Sequence, residues 1–149
     1  MWDGEHREAV RLLLDGRKRL LARLIIEFRP GRSENALCKV DTGADKTTIP
    51  GWIWSQHMSD AAARCGRSMN VSGVGGAIEG FEHRLPLRLL GMGNSTPLDL
   101  GDCDVLLAFD DAAGTKRGQV LLGLGGGTLD KGGLCINWKE RHFWFVEVR

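Results

Sequence analysis

The stretch Lys39-Val40-Asp41-Thr42-Gly43-Ala44-Asp45-Lys46-Thr47-Thr48-Ile49-Pro50 organises the reading of the whole chain. Residues 37–40 enter it as an extended, largely apolar run. Asp41 and Thr42 then put a carboxylate and a hydroxyl at a turn, and Gly43 follows. Such a pattern holds an acid group rigidly at the end of a strand. Beyond the turn, Thr47-Thr48-Ile49 reads as extended again, closed by Pro50-Gly51.

Working upstream, Leu20, Ala22, Leu24, Ile26 and Phe28 alternate with Leu21, Arg23, Ile25 and Glu27, the period of a half-buried strand. Pro30-Gly31 is a turn signal, so residues 20–28 and 37–40 form a hairpin that delivers Asp41 at its far end. Residues 5–15 are expected to form a short helix, ended by Asp15-Gly16.

Downstream, residues 52–65 read as a helix or helical turn. Residues 69–74 and 77–81 make a hairpin tipped by Gly73-Val74-Gly75-Gly76, and residues 85–90 a further strand. Residues 104–109 and 119–122 are apolar strands, the second stopping at Gly123. Residues 128–131 suit a short helix, and residues 134–138 and 143–148 a final hairpin. The acidic stretch 91–118, with Asp99, Asp102, Asp104, Asp110 and Asp111, is taken mainly as solvated loop. Many short strands with no βαβ rhythm predict a mainly β barrel or folded sheet.

Composition narrows the function classes. The 149 residues suffice for one domain with a real core, and 42% hydrophobic with 26% charged residues is ordinary for a globular chain. A net charge of +1 gives no reason to expect nucleic acid. No apolar run reaches the ~20 residues of a membrane span, and the first residues lack the apolar core of a signal peptide. Cys38, Cys65, Cys103 and Cys135 are scattered, as expected of reduced thiols in a cytoplasmic protein. His6, His57, His83 and His142 show no ligand spacing, so no metal is expected. Residues 123–128 lack the last glycine of a dinucleotide fingerprint, no P-loop is present, and no cofactor is expected.

Three elements stand in order: Val40-Asp41-Thr42-Gly43-Ala44-Asp45, then Ser72-Gly73-Val74-Gly75-Gly76, then Val120-Leu121-Leu122-Gly123. Together they resemble the catalytic motif, the flap and the apolar-glycine element of the retropepsin-like aspartic proteases, the family of retroviral-type proteases and their bacterial relatives. The resemblance covers residues 20–148. It implies a closed, homodimeric acid-protease barrel over residues 20–149, with residues 1–19 as an N-terminal helical extension.

The resemblance also implies roles. Asp41 is the acid/base, Thr42 ties two such loops together across a dimer axis, and Gly43 keeps the backbone close to substrate. Ala44 lines the site, Asp45 hydrogen-bonds substrate backbone or an arginine near the dimer interface, and the flap residues Gly73, Val74, Gly75 and Gly76 bend over the peptide, while Leu121, Leu122 and Gly123 pack beneath the catalytic loop. Peptide hydrolysis by carboxylates needs one acid and one base, which two side-by-side carboxyls sharing a proton supply. Of eleven aspartates only Asp41 precedes Thr-Gly, so one chain carries half a site and a second copy completes it. Residues 143–148 are a candidate dimer strand. The alternative is a catalytically silent dimerisation or peptide-binding module of the same fold, and a third idea is a monomeric precursor blocked by the N-terminal segment.

Three departures from the family pattern stand out, one of them the long acidic stretch 91–118, read as solvated loop in preference to cation binding. Leu124-Gly125-Gly126-Gly127 replaces the polar residue and helix that usually follow the apolar-glycine element. Lys39, two residues before Asp41 and on its face by strand alternation, stands where relatives carry an apolar residue. It either selects acidic side chains, lowers the pKa values of the carboxyl pair, or turns to solvent.

Overall fold

The structure, a computed structural model, describes residues 9–73, 76–91, 96–109 and 118–148, with backbone alone at 71–73 and 76–78. The chain is mainly β, as expected. Strands β1 (Ala9–Arg11), β2 (Leu13–Leu14), β3 (Leu20–Arg29), β4 (Arg32–Val40) and β5 (Thr47–Ile49) lead to two short helices, α1 (Gly51–Trp54) and α2 (Asp60–Ala63). Strands β6 (Arg67–Gly73), β7 (Gly76–Leu90), β8 (Leu98–Phe109) and β9 (Val120–Leu122) follow. A 3-10 turn (Leu129–Lys131), β10 (Gly132–Asn137) and β11 (His142–Glu147) complete the order.

The larger sheet closes on itself. Its strands run β3-β4-β9-β5-β8-β7, and β7 returns to β3 by pairing Leu87 with Ile26 through Leu90 with Arg23. Closure removes the exposed edges of an open sheet. The alternation of β3 turns Ala22, Leu24, Ile26 and Phe28 into the interior, where they meet Cys38, Leu87, Leu89, Leu98, Leu100, Val105, Leu107 and Val120. A smaller sheet, β1-β11-β10, packs Val10 and Phe145 against the same cluster.

Several expectations are corrected. Residues 9–11 and 13–14 are strands, not part of a helix; residues 5–8 lie outside the described residues. Val10 and Leu12 alternate into the core, and β11 offers a hydrogen-bonding edge that a short isolated helix cannot match: Leu12 N donates to Phe143 O at 2.8 Å. Asp15 ends no helix but builds the β2–β3 turn, accepting from Arg17 N and Arg19 N while Lys18 takes a left-handed φ of 61°. The backbone N–H of Arg19 is the main reason the Asp15 carboxyl titrates below its ordinary value.

Residues 52–65 are not one helix: α1 and α2 are four residues each, and Ser59 caps α2 by accepting from Ala62 N at 3.1 Å. Residues 77–81 and 85–90 are not separate strands but parts of the single fifteen-residue β7. The strand expected at residues 104–109 begins at Leu98, so residues 98–103 are strand rather than loop, bulged at Leu100 and turned by Gly101 at φ +71°. Asp104 is paired there with Arg84 at 3.1 Å, whereas Asp110 and Asp111 lie outside the described residues. Finally, β11 is a poor dimer strand. It is the central strand of its sheet, with both edges taken by β1 and β10 of its own chain.

Candidate active site

Asp41 sits where two strands of the barrel run parallel. β4 pairs with β9 as Cys38 with Val120, Lys39 with Leu121 and Val40 with Leu122, and Asp41 N extends the ladder by donating to Leu122 O at 3.0 Å. The chain then turns: Ala44 N donates to Asp41 O at 3.1 Å. Gly43 N donates to the Asp41 carboxylate at 3.0 Å, which fixes the side chain over its own turn. A methyl on Gly43 would lie 3.3 Å from that same oxygen, so glycine keeps the space over the acid open. Asp41 and Ala44 are half-buried, and Thr42, Gly43 and Asp45 are exposed. The apex of the loop therefore faces outward from the protomer.

The outgoing arm is bound to the chain after β9. Leu124 N donates to Ala44 O and Gly125 N to Asp45 O, both at 2.8 Å, and Lys46 bridges Gly125 in parallel register. Gly123 is the tightest point of this crossing. A methyl there would fall 2.3 Å from the Lys46 carbonyl carbon, so only glycine lets the two backbones cross. Its N–H donates to Thr47 Oγ1 at 3.0 Å, and its carbonyl accepts from Thr128 Oγ1 at 2.6 Å. Both threonines are essentially inaccessible, and Thr128 Oγ1 also lies 3.2 Å from Gly125 O.

Sequence reasoning singled out neither Thr47 nor Thr128 as functional. The usable signal was the missing polar residue after Gly123: a hydroxyl five positions on takes up the carbonyls of that glycine-rich passage, and the helix is reduced to the 3-10 turn of residues 129–131. Leu121 and Leu122 lie in the strand beneath the loop as expected, Leu122 fully buried.

The hairpin expected as a flap is present as the antiparallel pair β6–β7, whose last register pair is Gly73 with Gly76. Val74 and Gly75 lie outside the described residues. At the hairpin's base Gly80 admits Leu106: a methyl there would come within 2.7 Å of the leucine side chain. Lys46, just after the acid loop, forms an ion pair with Glu82 of β7 at 2.9 Å, a link between loop and hairpin not foreseen in the sequence. Among the described residues no group of three or more His, Cys, Asp or Glu side chains could hold a metal ion.

No family model matches the chain, and no curated protein matches it. Solved structures do. A retropepsin-like aspartic protease from Rickettsia conorii superimposes with a TM-score of 0.60 at 10% identity, over 99% of this chain and 98% of that one. The EIAV protease complexed with the inhibitor HBY-793 aligns with a TM-score of 0.38 at 17% identity, over 83% and 86% of the two chains. The fold is retropepsin-like.

Proposed function

We propose that this chain is an aspartic endopeptidase that works as a homodimer, with the two Asp41 carboxylates meeting across a two-fold axis. The observation that carries the reading is the placement of Asp41: it ends a parallel ladder inside a retropepsin-like fold, on a turn stiffened by Gly43, and its loop faces out of the protomer. One chain supplies a single carboxylate of this kind. An isologous contact supplies the second and makes the pair symmetric.

Two carboxyls in contact share one proton because both cannot ionise at that separation. The ionised member takes a proton from water as the water attacks the peptide carbonyl carbon, and the protonated member gives its proton to the carbonyl oxygen. Collapse of the tetrahedral adduct breaks the C–N bond as the carboxyl that took the water proton gives it to the nitrogen and the other carboxylate takes a proton from the adduct hydroxyl, which restores the shared-proton pair. Thr42 bonds the two loops to each other across the axis, and Gly43 leaves room for the peptide. Ala44 and Asp45 line the cleft, and residues Gly73, Val74, Gly75 and Gly76 cover the substrate from the hairpin side. Four free cysteines, two of them exposed, support a reducing compartment such as the cytoplasm.

The test pairs wild type with Asp41→Asn. Peptide-library cleavage read by mass spectrometry should disappear in the variant, by at least ~10³-fold in kcat, while the thermal midpoint and the sedimentation behaviour stay as in wild type. Retained cleavage in Asp41→Asn overturns the assignment. Wild type that binds peptides and cleaves none identifies a silent peptide-binding module instead.

A further inference from the structure

The barrel carries a continuous row of side chains at the level of Lys39. Register pairs run Leu13 with Leu21, Leu21 with Lys39, Lys39 with Leu121, Leu121 with Thr48, Thr48 with Leu106, and Leu106 with Glu82. Side chains of directly paired residues project from the same face of a sheet. The flanking residues Cys38, Val120, Leu122, Thr47 and Ile49 are fully buried on the opposite, interior side. The row therefore lies on the face that Asp41 shares, since Asp41 N continues the β4–β9 ladder two residues beyond Lys39.

This floor is largely apolar. Leu21 and Leu106 are buried, and Leu121 and Thr48 are half-buried. It holds two charged groups, Lys39 within the row and Glu82 at its end. Glu82 is neutralised by Lys46 at 2.9 Å. Lys39 is half-buried and, among the described residues, has no ion pair or side-chain hydrogen bond. A half-buried ammonium between two leucines loses hydration without compensation, and an arriving anion restores it.

On the reading of this chain as a peptidase, we infer that Lys39 is a specificity-determining residue that selects peptides with a glutamate or aspartate beside the scissile bond. Its Cα lies about 7 Å along the strand from that of Asp41, one residue pair away at ~3.3 Å per residue. That is the reach of a side chain flanking the bond held at the carboxylate. The leucines on either side take the methylenes of a glutamate, and the ammonium takes its carboxylate.

The experiment uses the full chain and one peptide library. Cleavage positions of wild type, Lys39→Met and Lys39→Glu are read by mass spectrometry at low and high salt. In parallel, calorimetry measures binding of two octapeptides, differing only in a central Glu or Gln, to Asp41→Asn and to Asp41→Asn/Lys39→Met. Wild type should favour Glu over Gln beside the cut by roughly three- to tenfold at low salt, less at high salt. Lys39→Met should lose that ratio and Lys39→Glu should invert it toward lysine. Equal use of Glu and Gln by wild type, or a ratio preserved in Lys39→Met, overturns the inference while leaving the peptidase reading in place. If wild type cleaves nothing, the peptidase reading fails on its own. The binding ratio then decides the role of Lys39: a Glu preference abolished by Lys39→Met supports it, and no preference overturns it.

Discussion

The acid loop and the terminal sheet are held by opposite means. Around Asp41 the chain is fixed by directional contacts: backbone bonds from Leu124 and Gly125 to the outgoing arm, and hydroxyls of Thr47 and Thr128 on the two polar atoms of Gly123. In the sheet β1-β11-β10 the anchor is volume. Val10 and Phe145 are paired in register and almost wholly buried, with Leu134 packed behind them. The first arrangement sets the position of a carboxylate to within a hydrogen bond's tolerance. The second fastens a chain end by backbone ladder bonds and apolar burial, with no buried side-chain hydroxyl to orient. Precision is concentrated where chemistry is proposed, and the remainder of the fold is secured by apolar burial.

Substitutions sort by this contrast. The largest stability loss is expected from Gly123→Ala. Its methyl meets the Lys46 backbone rather than a flexible side chain, so urea unfolding should show a loss of about 4 kcal/mol or no folded protein. A loss below about 1 kcal/mol would mean the crossing of loop and strand is slack, and the contrast with the terminal sheet would collapse. Phe145→Ala should cost about 3–4 kcal/mol through lost contacts and a cavity. It should spare the catalytic geometry, so kcat of the surviving folded fraction should stay near wild type.

Thr128→Val comes next, at about 1 kcal/mol, because it strips the buried carbonyl of Gly123 of its short hydroxyl donor and leaves it only the longer bond from Leu129 N at 3.3 Å. Here activity should fall by more than stability alone accounts for, and Thr128→Ser should restore it. Equal losses of activity in Phe145→Ala and Thr128→Val, at matched folded fraction, would show that the acid loop draws no special support from the hydroxyl.

The smallest effect is a pH dependence. Burial pushes the Cys38 thiol from its ordinary value of 9.0 up to about 12. The unfolded chain ionises this thiol near pH 9 while the folded chain keeps it protonated, so the unfolded state binds fewer protons there. Stability is then fully present below pH 9 and falls as pH rises toward about 12, by at most about 1.4 kcal/mol per pH unit for one thiol. Cys103, raised to about 11 for the same reason, adds to the slope. Replacing Cys38 by Ala should flatten the alkaline limb measured by urea titration from pH 8 to 10. An unchanged limb would show that the thiol is already hydrated in the folded barrel.

Much of the barrel was legible because strand periods are local. The alternation of residues 20–28 named the buried face of β3, and Pro30-Gly31 placed the turn. The N-terminal segment misled because Ala9-Val10-Arg11-Leu12 satisfies a short helical stripe as well as an alternating one, and only the edge of β11 decides between them. Residues 52–65 misled differently. Their composition permits a helix, but Ser59 starts a second one and breaks the run. In β7 the polar residues Glu82, His83 and Arg84 looked like an interruption, yet the register with β8 passes straight through them.

The sequence by itself determined that an acid would stand on a glycine turn at the end of a strand, that a glycine hairpin and an apolar strand stopping at glycine would follow, and that each chain would bring one such acid. These are properties of neighbours along the chain, set by backbone sterics and side-chain alternation. The tertiary structure decided what lies across from them. Thr128 closes the Gly123 carbonyl, Lys46 is neutralised by Glu82, and Lys39 is left among leucines without a counter-charge among the described residues. The hydroxyl bonds of Thr128 and Thr47 to Gly123 join residues 5 and 76 positions apart. No period in a single sequence encodes the partner at the far end of such a pair.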